Sequence, residues 1–282
     1  MASVALGTKS VGSIVKLKEN GAAVNYIVVH QGKPSSIYDS SCDGTWLLRQ
    51  DIAENRVWDD GNVNKLESSD IHSYLNNTWI NRYDTDIRNA IKQVKIPYRQ
   101  NGGYGGTDRT GANGLSCKIF LLSGYEVGFT TSVNQYFPVD GAKLAYFLSG
   151  NDSSAQQKRV AKLNGSATRW WLRSPGTDGT GYVWGVHSGG NCYVWGADSS
   201  CGVRPVLTFS SCLSVSWQDE EPQDTPDENV MKEKRWDAYI AYLNDWADDH
   251  SAAECYGAAP MGFDEWLEEE YDWSEEDEDD AE

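Results

Sequence analysis

Apolar residues cluster first over Ile14-Val15-Lys16-Leu17 and again over Tyr26-Ile27-Val28-Val29-His30. Two such runs around Glu19-Asn20-Gly21 predict antiparallel strands joined by a tight turn. Gln31 to Gly44 is rich in Ser, Pro, Asp and Gly and reads as a loop, and Thr45 to Arg49 reads as a third strand. The period then lengthens. Ser69 stands where an N-cap belongs, and Ile71, Tyr74, Leu75 and Trp79 fall on one helical face. Asp84 to Ile91 predicts a second short helix that buries Ile87, Ala90 and Ile91. Val94 to Tyr98 is strand-like as far as Pro97, and Asn101 to Gly114 is a glycine-rich surface loop without the Gly-Lys-Ser/Thr ending of a phosphate loop. Cys117 to Leu122 predicts a buried strand and Ser123 to Gly128 a turn or short helix. Asp140 to Phe147 reads as a short apolar helix or turn, and Ser153 to Leu163 as a polar helix. These segments mix short strands with short helices.

The pattern changes character between Arg169 and Leu207. A rigid block, Trp170-Trp171-Leu172-Arg173-Ser174-Pro175, opens the stretch, and Gly202-Val203-Arg204-Pro205-Val206-Leu207 closes it. Between Arg173 and Arg204 there is no Lys, Arg, Glu, Leu, Ile, Met or Phe. Gly, Ser, Thr, Asn, Asp, Tyr and Trp dominate instead, the composition of an antibody-like contact surface: large rigid rings with adaptable hydrogen-bonding residues between them. Tyr182-Val183-Trp184-Gly185 recurs as Tyr193-Val194-Trp195-Gly196 around the turn cluster Ser188-Gly189-Gly190-Asn191, which predicts a β-hairpin. Strand alternation then sets Val183 and Val194 on one side and Tyr182, Trp184, Tyr193 and Trp195 on the other. The candidate ligand-binding residues are Tyr182, Trp184, Gly185, His187, Asn191, Tyr193, Trp195 and Asp198. A plain core face is the alternative reading of the aromatics.

This frame resembles the end of a C-type-lectin-like domain. The similarity is to the formylglycine-generating-enzyme branch of that fold, and to the variable proteins of the major-tropism-determinant type diversified by phage and bacterial retroelements. Val11 to Leu17, Tyr26 to Gly32, Thr45 to Arg49, Ser69 to Trp79, Ile96-Pro97-Tyr98 and Phe120 to Ser123 are also similar, so the resemblance spans roughly residues 10–210. It implies an α+β, C-type-lectin-like ligand-binding domain of a phage receptor-binding or host-attachment protein. Its partners would be a host cell-surface protein or glycan, and its place the virion, in a tail or head fibre. It further implies that Tyr182, Gly185, His187, Asn191, Tyr193 and Asp198 are diversified contacts, while Val183-Trp184 and the flanks belong to the constant scaffold. Two alternatives are a structural virion protein and an enzyme of the formylglycine-generating type. The cysteine motif of that enzyme cannot be placed here.

Charge alters the picture at the C-terminal end. The net charge is −18, yet from Asp219 onward there are 25 acidic and 3 basic residues, against 17 acidic and 21 basic before it. The body is therefore close to neutral and has no basic run, which argues against nucleic acid. Residues 1–217 form the expected binding domain and 218–229 an acidic, Pro-containing linker. Residues 230–273 form an amphipathic helical tail with Trp236, Tyr239, Ile240, Leu243, Trp246 and Ala247 in one stripe, and 274–282 a disordered acidic end. The tail is expected to fold back on its own domain or to dock onto other virion proteins. Display as a homo-oligomer would turn weak single contacts into firm attachment.

The six cysteines, at 42, 117, 192, 201, 212 and 255, contain no C-x-x-C pair. The spacing of Cys192 and Cys201 allows a cross-link of the hairpin region, with free thiols as the alternative. Four scattered histidines match no H-E-x-x-H motif, and no G-x-S-x-G is present, so neither an enzyme, a metal nor a cofactor is expected. Met1 to Gly12 has no signal-peptide pattern and no apolar run approaches 18 residues. The expectation is synthesis in the host cytoplasm with no membrane span.

Overall fold

The computed structural model describes residues 4–147 and 153–215. Contacts divide the chain after Trp217. The expected linker, helical tail and acidic end, with His250 and Cys255, lie outside the described residues.

Two five-stranded sheets organise the described residues. In the first, the order is Ile119–Phe120, Val206–Phe209, Thr45–Arg49, Ala22–Gln31, Ile14–Glu19, and every pairing is antiparallel. Asn20 (φ 50°) and Gly21 (φ 82°) make the turn of its edge hairpin, as the Asn-Gly pair predicts. This sheet is covered on both faces. Leu47, Leu207 and Phe209 enter one core with Trp58, Ile71, Leu75, Trp79 and Trp171. Trp46, Leu48 and Val206 enter another with Phe120, Leu122, Trp170 and Leu172. Double coverage explains why Thr45–Arg49 reads as a continuous apolar run rather than an alternating one.

The second sheet runs Cys192–Gly196, Tyr182–Val186, Trp170–Pro175, Ser200–Val203, Glu54–Val57. Its centre is the block Trp170–Pro175, in which all six residues are buried. This strand pairs antiparallel with Tyr182–Val186 and parallel, through Trp170 and Gly202, with Ser200–Val203. Val4–Ala5 pairs with Ser214–Val215, bringing the first and last described strands together. Helices are short and few, and the architecture is α+β.

The Ser69 hydroxyl accepts the His72 N–H at 3.3 Å and caps a helical stretch. That stretch runs through Asp70–Ser73, widens to a π turn over Tyr74–Thr78 and tightens to 3-10 over Trp79–Arg82. Its inner face carries the expected Ile71, Leu75 and Trp79, whereas Tyr74 is only half-buried. In the second helix, Thr85–Ala90, Ile91 is buried but Ile87 and Ala90 are half-exposed.

Two expectations give way, and one strand forms that no pattern announced. The helix expected over 153–163 stops at Arg159, because Asn164 and Gly165, both at positive φ, turn Lys162–Leu163 back onto Ser166–Ala167. The glycine-rich stretch is not all loop: Thr107–Arg109 pairs with Tyr98–Gln100 and pins its base. Glu54–Val57 carries no apolar alternation because it is an edge strand, fixed to Ser200–Val203 by its backbone.

Candidate functional site

The hairpin forms as the repeat predicts, with Tyr182–Val186 antiparallel to Cys192–Gly196. Its register is not the one the repeat suggests. Val183 lies opposite Trp195, and Trp184 opposite Val194. Directly paired residues share a face, so the two valines lie on opposite faces and the four aromatics do not form one surface. Tyr182, Trp184, Val186, Cys192 and Val194 share one face, and Val183, Gly185, Tyr193 and Trp195 the other. The turn sets this: His187 N–H donates to Asn191 O at 2.7 Å, and the pairs that follow are determined from there.

The candidate contacts therefore separate. Trp184 is a core residue, 5% exposed. Its ring stacks on Phe137 at 4.0 Å between centroids, and its indole N–H donates to Tyr136 O at 3.2 Å. Gly185 is also buried, and a Cβ there would meet Trp170 O at 2.6 Å and the Trp195 ring at 2.8 Å. Both belong to packing, which corrects their place among the contacts. Tyr182 (56%) and Tyr193 (57%) are exposed on opposite faces, and His187, Asn191 and Asp198 are exposed as well. Trp195 is half-buried, edge-on to Trp171 at 6.2 Å, beside Tyr193 at 5.0 Å, with the Arg169 guanidinium 5.2 Å from its ring centroid.

The turn itself is held down. Gly190 (φ 84°) lies against helix Ser153–Arg159, where a Cβ would come within 2.2 Å of Gln156 O. Gln156 donates to Gly189 O at 2.7 Å, and Arg159 Nε to Gly190 O at 2.8 Å. Cys192 and Cys201 are free thiols packed in different cores, Cys192 against one and Cys201 within the other, so no cross-link joins them.

The frame holds a polar network that the sequence left without partners. Arg173 makes a fully buried, two-pronged pair with Glu126, at 2.5 and 2.7 Å, and donates to Leu121 O and Asp140 O. The Ser174 hydroxyl donates to Asp140 Oδ2 at 2.7 Å and accepts from Gly124 N–H at 2.8 Å. Tyr38 OH donates to Glu126. Burial pushes the Asp140 carboxyl up to about 7 against the pull of Arg173 and Ser174, and its Oδ1 has no partner. Arg204 differs: buried, stacked 5.0 Å from Trp170, donating through Nε to Arg49 O and Gln50 O, it is pushed down to about 10 by burial. Arg173 and Ser174 thus tie segments 123–126 and 140 to the frame strand.

Asn64 is a second residue the sequence did not flag. Buried to 1% exposure, it donates through Nδ2 to Gly179 O and Tyr182 O at 3.1 and 2.8 Å, and its Oδ1 accepts Gly103 N–H at 2.9 Å. It clasps the glycine-rich loop to the segment that leads into the hairpin.

Among the described residues, no group of three or more His, Cys, Asp or Glu side chains is placed to hold a metal ion. A cavity lined by Leu66, Ile71, His72 and Arg173 measures about 10 Å³, room for one water and far below a ligand's few hundred Å³. Among the described residues, no helix is long and apolar enough to cross a membrane.

Fold and surface together define an α+β domain that carries an exposed, aromatic hairpin on a buried tryptophan frame. The chain belongs to the family described as a domain of unknown function, DUF6273, whose profile matches residues 43–211. That match contains the whole second sheet and leaves out the edge hairpin at 14–31. No curated protein and no solved structure matches the chain.

Proposed function

We propose that residues 1–217 are a C-type-lectin-like ligand-binding domain that recognises a molecule on a host-cell surface, as the receptor-binding part of a phage or phage-derived particle. The observation that carries this reading is the contrast within one hairpin. Tyr182, His187, Asn191, Tyr193 and Asp198 are exposed, while Val183, Trp184 and Val186 between them are locked in two cores. Such positions accept substitution without loss of the fold, which is what a diversified contact surface requires. Binding rather than turnover is favoured because the coupled cluster of Asp140, Glu126 and Arg173 is sealed from solvent. Residues 218–282 serve, in this proposal, to attach the domain to its particle.

The test is exchange. The five exposed residues are replaced together by a second set drawn from Ser, Asn, Tyr, Asp and His, and both proteins are applied to a panel of bacterial strains. The reading expects the exchanged protein to fold and to bind a different subset of strains. Unchanged strain preference with the fold intact would sink it.

A further inference from the structure

Exposed apolar side chains are not scattered evenly over the described surface. Val63, Tyr104, Tyr136, Val139 and Tyr182 are all exposed, Tyr104 to 74%. Their segments meet around residues 176–182. Asn64 N–H donates to Thr180 O at 2.8 Å, Tyr104 N–H to Gly179 O at 2.9 Å, and Thr177 N–H to Tyr136 O at 3.0 Å. Val139 N–H donates to Asp108 Oδ2 at 3.1 Å, beside the Arg99–Asp108 pair. The Asn64 clasp holds the centre of this gathering. Three chain-distant tyrosines are thus anchored through their backbones around one segment, and exposed apolar clusters of this kind mark interaction sites.

We infer that this surface, formed by Tyr104, Tyr136 and Tyr182 with Val63 and Val139, binds a neutral polysaccharide chain. The inference rests on the recognition reading above and moves its centre from the hairpin turn to the glycine-rich loop and its neighbours. Charge decides against polyanions: segments 62–65, 101–109, 130–139 and 176–182 together set two basic residues, Lys65 and Arg109, against two acidic ones, Asp108 and Asp178, with no basic excess. Side-chain size decides against a protein interface. Such interfaces centre on large anchors buried in pockets, Trp besides Tyr and Arg; in these segments no Trp, Phe, Leu or Met is exposed, and Arg109 is the one exposed Arg. A pyranose offers a C–H face that a phenol ring covers and a rim of hydroxyls. Exposed Gln135 and Thr180 and the phenol groups supply neutral donors and acceptors for that rim. Loops held in place in advance lose little freedom on binding, and a repeating polymer lets weak contacts add.

The test is affinity electrophoresis of the full chain through gels containing dextran, mannan, galactan or laminarin, with heparin as the polyanion. We expect retardation by at least one neutral polymer and none by heparin. Tyr104→Ala and Tyr136→Ala should each weaken it about tenfold with unchanged melting, the scale of a hot-spot residue. Ile14→Ser, which removes an exposed apolar side chain on the other sheet, should change it by less than about twofold. No retardation by any neutral polymer, retardation by heparin alone, or retardation that survives both tyrosine substitutions would each overturn the inference. The same proteins are applied to the strain panel. Cell binding without polysaccharide binding leaves the recognition reading standing and removes only this one, while loss of both removes both.

Discussion

Strands Trp170–Pro175 and Cys192–Gly196 stand two places apart in the same sheet and both carry Trp, yet their fates differ. Every residue of the first is buried, while no residue of the second is. The first has a strand on each side and a core on each face; the second is an edge strand whose outer face meets solvent. Position in the sheet decides burial more than residue type does: Arg173 and Ser174 are buried in the first strand, while Trp195 is only half-buried in the second. The region that specifies the fold and the region available for recognition are therefore interleaved at single-residue spacing, as Trp184 and Tyr182 demonstrate.

That comparison is broken most sharply at Arg173. Arg173→Ala should destabilise by about 3–5 kcal/mol, because it strands the Glu126 carboxylate in a sealed interior. Thermal and urea melts measure this, and a loss below about 1 kcal/mol would mean that water reaches the network. Next in size is Trp184→Ala, which should cost about 3–4 kcal/mol by opening a cavity beside Phe137, comparable with Trp171→Ala. A near-neutral result would return Trp184 to the contact surface.

A smaller, pH-dependent effect belongs to Asp140. Its carboxyl is pushed up to about 7 in the folded chain by burial, against an unfolded value of about 4. The folded state then holds its proton more tightly. The stability this confers is complete below about pH 4 and is lost as pH rises through about 7. Arg173, Glu126, Ser174 and Asp108 all act on this group. We expect Asp140→Asn to remove that fall, so that the variant melts higher than the parent at pH 8 and the difference narrows toward pH 5. Parallel melting curves for the two proteins from pH 5 to 8 would show that Asp140 is not the group responsible.

Much of the scaffold was legible because its signals are local. Asn20-Gly21 specifies the first hairpin and Ser69 the helix start, and the unbroken apolar runs at Thr45 and Trp170 mark strands covered on both faces. The hairpin register was not legible. The Tyr-Val-Trp-Gly repeat invites alignment of valine with valine, but the turn from His187 to Asn191 decides, and a one-residue shift moves every side chain to the other face. Arg173 stood out only as one edge of a composition break. Its partners, Glu126 and Asp140, are 47 and 33 residues distant, and no local pattern announces them. Tyr104 was hidden for a similar reason: four glycines around one tyrosine read as flexible loop, whereas the buried Asn64 and the Thr107–Arg109 strand make that loop a fixed platform.

The smallest effect on stability carries the largest consequence for function. Replacing Tyr182, His187 and Tyr193 together by Ser should change stability by less than about 0.5 kcal/mol per site, as expected for exposed positions. Retention of the protein on the strains it binds, measured beside its melting temperature in the same preparation, tests the account most directly. The account predicts near-parental melting with retention abolished. Parental melting with full retention would contradict it, and so would unfolding as severe as that of Trp184→Ala.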